Sequence, residues 1–239
     1  MVVSALRSQY KNVAVVIESP VSRFNILKRR IKHQGTLKVI FQFLFIALLP
    51  IMRIFKKRVI ARILNGSNLN SHYPKDLQVK RVPSANSIQC QNILKTYKPD
   101  LIVINGTRIL SKDTLESCSA VFLNIHCGIT PAYRGVHGAY WALVCSDPNN
   151  LGVTIHTVDS GVDTGDIVYQ ETINVEHHDN FVTYPYKQFV IGIPLLLRAI
   201  SDFELGRLKK YRRDNTPSNI WYHPTLYSYI WNRLLRNIR

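Results

Sequence analysis

Leu123-Asn124-Ile125-His126-Cys127-Gly128-Ile129-Thr130-Pro131-Ala132-Tyr133-Arg134-Gly135 reads as the end of a buried strand and the turn beyond it. Ala120 to Ile125 is apolar except for Asn124, and Gly128, Pro131 and Gly135 punctuate the turn. Residues two apart on a pleated strand point the same way, so Asn124 and His126 are aimed together from the strand's carboxyl end.

On either side of this stretch, further buried strands are expected at 12–18, about 77–82, 101–104, 153–158 and 167–171. Helices are expected from about 22 to 32, 86 to 97 and 136 to 144. Another runs from 181 to about 208, interrupted near Pro185 and Pro194. Strands alternating with helices predict an α/β domain with a mostly parallel sheet flanked by helices. Ligands in such a sheet bind at the strands' carboxyl ends, where Asn124 and His126 sit.

A second polar stretch, Asp159-Ser160-Gly161-Val162-Asp163-Thr164-Gly165-Asp166, comes after the strand that carries His156. Asn124 offers an amide N–H, His126 a ring N–H, and Asp163 a carboxylate that can accept a proton or hold an imidazolium. Together they can stabilise the oxyanion of a tetrahedral adduct while an acyl group passes to an amine. Arg134 adds a cation for an anionic substrate. Cys127 beside His126 reads as a small turn residue rather than a nucleophile. Cys90, Cys118, Cys127 and Cys145 lack metal-ligand spacing, so no metal is expected.

Lys and Arg number 31 against 15 Asp and Glu, a formal charge of +16. With 46% hydrophobic and 19% charged residues the chain is a folded protein, not a disordered one, and its charge predicts an anionic partner. No cleavable signal peptide opens it, so reduced thiols and a cytoplasmic setting are expected. Val39 to Ile51 is almost wholly apolar, with Lys38 before it and Arg53, Lys56, Lys57 and Arg58 after it. A helix buried against the sheet is the preferred reading. A peripheral helix on an anionic membrane, at its inner face, is the alternative. Residues 209–239 read as a basic amphipathic tail, residues 1–208 as the catalytic domain, and 23–70 as a helical insert within it. Asn65 to Asn70 reads as an ordinary turn.

Asn124-x-His126 with Pro131 and Gly135, then Asp163 in a Gly-rich loop after the Val-x-His strand that ends near His156, resembles the formyltransferases that use 10-formyltetrahydrofolate. The resemblance covers roughly Asn12 to Gln170. It implies a Rossmann-like formyltransferase fold in which Asn124 and His126 polarise the formyl oxygen and Asp163 manages protons. It also implies that the loop Asn105, Gly106, Thr107, Arg108, Ile109 and Leu110 grips the folate through backbone groups. Val158, Asp159 and Gly161 then close the other side, and His137 and Tyr140 face the acceptor; His137 reads equally as a helix-start residue. Two departures stand out. The family's opening strand, central in its sheet, has no counterpart before Asn12, and the insert is longer and more basic than in the small purine enzyme.

The function this implies is formyl transfer to a primary amine of a small anionic substrate, a nucleotide-linked amino sugar first. Glycinamide ribonucleotide and methionyl-tRNA are alternative acceptors, with tRNA disfavoured because few residues come after Leu208. A formyltetrahydrofolate hydrolase and a truncated, non-catalytic, membrane-associated homologue are the readings from other classes.

Overall fold

Apolar runs that end in polar or turn-forming residues become strands in the computed structural model of the chain, and segments with three- and four-residue apolar spacing become helices. The structure describes residues 1–67, 69, 74 and 77–239, with backbone alone at 23, 25 and 29. The chain opens with α1 (Val2–Gln9), β1 (Ala14–Glu18), α2 (Arg23–Gln34), α3 (Thr36–Phe55), α4 (Lys57–Asn65) and β2 (Gln78–Val82). The middle holds α5 (Ile88–Tyr97), β3 (Leu101–Ile104), α6 (Lys112–Leu115), β4 (Val121–His126), β5 (Arg134–Gly135) and α7 (Gly138–Val144). The last part holds β6 (Gly152–Thr157), β7 (Ile167–Thr172), α8 (Tyr184–Glu204), β8 (Ile220–Trp221) and α9 (Leu226–Leu235). The turn expected at 65–70 lies partly outside the described residues, at 68 and 70.

Strands β3, β4, β6 and β7 form one sheet in that order. β3 and β4 are parallel, while β6 and β7 continue the sheet antiparallel. The register sets Asn124 opposite His156 and His126 opposite Thr154. β1 and β2 pair in parallel as a separate sheet. Among the described residues, β1 and β3 each therefore keep one edge without a strand partner, which leaves a break between the two sheets. Glu18, at the end of β1, spans the break at the strands' carboxyl ends. Its carboxylate accepts from the Ala85 N–H (2.9 Å) and the Arg108 N–H (2.9 Å), and pairs with the Arg108 guanidinium.

One face of the larger sheet packs under α8. Leu123, Ile125, Val153 and Ile155 meet Ile193, Leu196 and Ala199, all buried, and Val2 of α1 joins them. Phe122 points the other way, into a smaller cluster with Ala85, Leu94 and Leu110. The alternation along β4 follows from the period-two pleat. The expected interruptions of α8 do not occur. Pro185 sits in the first turn, whose N–H groups have no intrahelical partner to lose. Pro194 lies inside the helix, where its neighbours Ile193 and Leu196 are buried on the sheet; that burial outweighs one missing hydrogen bond.

The insert departs from its preferred reading. α3 is not buried against the sheet: it packs on α2, α4 and α9 and buries only Val39, Gln42 and Phe45. Phe45, fully buried, meets Phe181 (centroids 4.7 Å) and Tyr229 of α9 (5.0 Å). The last segment is built into the body: β8 pairs with β5, and Trp221 stacks on Trp141 at 4.7 Å.

Candidate active site

β4 delivers Asn124 and His126 to one point, and the loop after β6 folds back to set Asp163 between them. Asn124 Nδ2 donates to Asp163 Oδ1 (3.3 Å) and lies 3.1 Å from His156 Nε2. Asp163 Oδ2 is 3.4 Å from His126 Nδ1 and accepts from the Gly135 N–H at 2.9 Å. His156 Nε2 is 3.6 Å from Asp163 Oδ1, and its Nδ1 donates to the Thr157 carbonyl (2.6 Å). His126, 6% exposed, places Nε2 2.7 Å from the Tyr133 carbonyl.

These partners fix the protons. A carbonyl only accepts, so the neutral His126 ring carries its hydrogen on Nε2 and turns the Nδ1 lone pair toward Asp163. Burial lowers the His126 pKa, against the opposing pull of Asp163 and the Tyr133 carbonyl, so the ring is neutral at rest. Burial also works to raise the Asp163 carboxyl. The neighbouring His156, the attraction of His126 once acid protonates that ring, and the Gly135 N–H outweigh it and hold the pKa at about 2. At neutral pH the site is a carboxylate facing the basic nitrogen of a neutral imidazole.

Local backbone demands explain the glycines. Gly135 sits at φ 91, a left-handed conformation that disfavours side chains, and a Cβ there would overlap the Trp221 carbonyl oxygen. Gly165 passes so close to the Thr157 carbonyl that a Cβ would overlap its oxygen. Asp163 itself adopts φ 51, which Asp tolerates better than most residues. Arg134 Nη1 donates to the Val162 carbonyl (3.1 Å) and ties the loop down. Its Nε is buried and, among the described residues, has no hydrogen-bond partner.

The other expected site residues divide. Asn105, Gly106, Thr107 and Ile109 are exposed at the end of β3. Arg108 is not free, since its N–H and guanidinium are held by Glu18, and Leu110 lies in the core. Val158 bonds the Phe122 carbonyl through its N–H (3.0 Å), while Asp159 accepts from the Gly161 N–H (2.9 Å), shaping the second loop. Tyr140 does not face an acceptor: it is 1% exposed, and its hydroxyl accepts from Asn232 Nδ2 at 3.1 Å. His137 opens α7 at φ 61, leans on Phe181 (4.4 Å) and bonds His223 across 2.9 Å. Burial, then His223 and Arg30, lower its pKa to about 3, and it borders a cavity of about 260 Å³ with Leu49, Arg53 and Phe189. Burial pushes the Cys127 thiol up to about 12, which removes it as a nucleophile.

Sequence reasoning missed three participants. His156 was visible as part of the strand motif, but its contact with Asn124 depends on the β4–β6 register. Glu18 was marked only by being an acid at the end of an apolar strand. His223 carried no local signal. A trio of Glu176, His178 and Asp179 brings metal-ligand atoms within 4.8 Å of one another. The Lys187 ammonium already stands there, 2.5 Å from Asp179 and 3.7 Å from Glu176.

The family model for formyl transferases matches residues 45–189. Methionyl-tRNA formyltransferase of Prochlorococcus marinus is 35% identical over 135 residues, 56% of this chain and 41% of its own length. The enzyme of the same name from Azobacteroides pseudotrichonymphae is 27% identical over 175 residues, 70% of this chain and 53% of its own. The chain thus spans about half, or less, of these relatives. Among solved structures, a sugar N-formyltransferase from a Shewanella species superposes with TM-score 0.50 at 18% identity, covering 60% of this chain and 56% of that one. Glycinamide ribonucleotide transformylase 1 from Symbiobacterium toebii gives 0.50 at 24% identity, covering 61% and 71%. These two share the fold: parallel strands flanked by helices.

Proposed function

This chain belongs to the formyl transferase family, and on that premise we propose that it transfers a formyl group from 10-formyltetrahydrofolate to the primary amine of a nucleotide-linked amino sugar. The observation that carries the reading is the ionised Asp163 seated against Nδ1 of a neutral His126, with Asn124 beside both.

In the reaction the amine nitrogen attacks the formyl carbon, a C–N bond forms, and the carbonyl oxygen becomes an oxyanion. Asn124 Nδ2 donates to that oxygen by exchanging its long bond to Asp163. His126 has its only N–H on the Tyr133 carbonyl, so it becomes an oxyanion donor when Nδ1 takes up a proton. Asp163 stabilises that cation and relays the proton the amine sheds. The proton then passes to the folate nitrogen as its bond to the formyl carbon breaks. The exposure of Asn105, Gly106, Thr107 and Ile109 supports a folate seat on one side, with the 158–161 loop opposite. The unpartnered Nε of Arg134 supports a grip on the acceptor's anionic part.

Methionyl-tRNA is the second reading, favoured by the names of the curated relatives and by the basic charge. The test is formyl transfer from 10-formyltetrahydrofolate to amino-sugar nucleotides, glycinamide ribonucleotide and methionyl-tRNA, with a control lacking amine. Turnover is expected with an amino-sugar nucleotide. Turnover with methionyl-tRNA alone replaces the acceptor, formate release without amine makes the chain a hydrolase, and silence with no folate binding rejects the enzyme.

A further inference from the structure

α3 is amphipathic in the wrong sense for a helix that faces water. Its buried stripe is Val39, Gln42 and Phe45, yet the outward stripe is also apolar. Leu37, Ile40, Leu44, Ala47, Ile51 and Ile54 keep three- and four-residue spacing along one face, and all are exposed, Leu37 by 70% and Ile54 by 72%. α9, packed alongside, adds Ile230, Trp231 and Leu234, with Trp231 63% exposed. The edge contact of Phe41 with Tyr227 (5.3 Å) joins the two stripes. A contiguous apolar surface of this kind marks an interaction site.

The charge around it has one sign. No Asp or Glu occurs between Glu18 and Asp76, or from Asn215 to Arg239, so α2, α3, α4 and α9 carry none. Exposed Lys38 lies in the first turn of α3, exposed Lys57 and Arg58 follow its end, and exposed Arg233 and Arg236 lie in and just after the last turn of α9. We propose that the α3–α9 face docks on the surface of an anionic lipid bilayer, its aliphatic stripe and Trp231 entering the interface and its Lys and Arg meeting lipid phosphates. By length and composition α3 could cross a membrane. It lies in the surface instead, because Phe45 is locked in the core and Gln42 Nε2 donates to the Gln34 side chain (2.9 Å) and the His223 carbonyl (2.8 Å). A second copy of the chain is a poorer occupant, since basic rims would face each other. The proposal goes beyond formyl transfer and does not depend on it.

The test is co-sedimentation of the purified chain with vesicles of phosphatidylcholine alone and with phosphatidylglycerol added, followed by Trp231 fluorescence. Expected are binding at least tenfold tighter to the phosphatidylglycerol vesicles at 0.1 M KCl, as an order of magnitude, and weakening in high salt. A Leu44→Glu/Ile51→Glu double variant should lose that binding with its thermal melt unchanged, and a Lys57→Glu/Arg58→Glu variant should lose the lipid preference. No binding, equal binding to both vesicles, binding that survives the Leu44/Ile51 change, or a dimer that hides Trp231 without vesicle binding would overturn it.

Discussion

Replacing Asp163 by Asn keeps the side chain's shape and tolerates its left-handed backbone (φ 51), but removes its charge. The carboxyl is held at about 2 against an ordinary 3.8, with its side chain 15% exposed. A folded-state pKa below the unfolded one stabilises the native state above pH 3.8, and the contribution is lost as pH falls toward 2. The gap corresponds to about 2 kcal/mol at neutral pH. Urea unfolding followed by tryptophan fluorescence should therefore show Asp163→Asn destabilised by about 2 kcal/mol at pH 7. Most of the difference should vanish near pH 2, where about half of the wild-type carboxyl is already protonated and Asn-like. Formyl transfer by the variant should fall far more than folate binding. A stability difference that is flat with pH, or absent at pH 7, would refute the assigned electrostatics.

Gly165→Ala must push the Asp163 loop away from the Thr157 carbonyl, so turnover and melting temperature should drop together; a variant with wild-type kinetics would show that the loop position is unimportant. Phe45→Ala empties a fully buried aromatic site between α3, α9 and Phe181 and should lower unfolding free energy by about 3–5 kcal/mol, read by urea titration. Cys127, with its thiol at about 12, should stay unlabelled by iodoacetamide at pH 8, where about one thiol in ten thousand is ionised. The exposed Cys145 should react, and rapid labelling of Cys127, mapped by mass spectrometry, would contradict its raised thiol pKa.

The trio was legible because its cause is local. Two residues apart on a strand fixes Asn124 with His126, and glycines around Asp163 announce a loop that must approach something. Contacts set by distant register were not legible. His156 meets Asn124 only because β6 pairs with β4, and Tyr140 was assigned to the acceptor although Asn232, from the far end of the chain, already bonds its hydroxyl. α3 shows another limit. Its composition announces an apolar helix, but composition does not say how much of that surface finds a partner within the fold. The Glu18 bridge between the two sheets was not legible either, because it joins residues 18, 85 and 108.

The pairing of α3 with α9 also sets a clock. Roughly 170 residues separate Phe55 from Leu226, so a growing chain carries an apolar helix for on the order of 10–30 s before its mate is synthesised. For most of that interval Phe45 lacks Phe181, and for all of it Tyr229, so both sides of the helix are open to whatever the ribosome exit presents. Early capture by a chaperone or by lipid becomes a kinetic competitor of native closure, and synthesis order, as much as final stability, decides how much of the chain reaches its folded form.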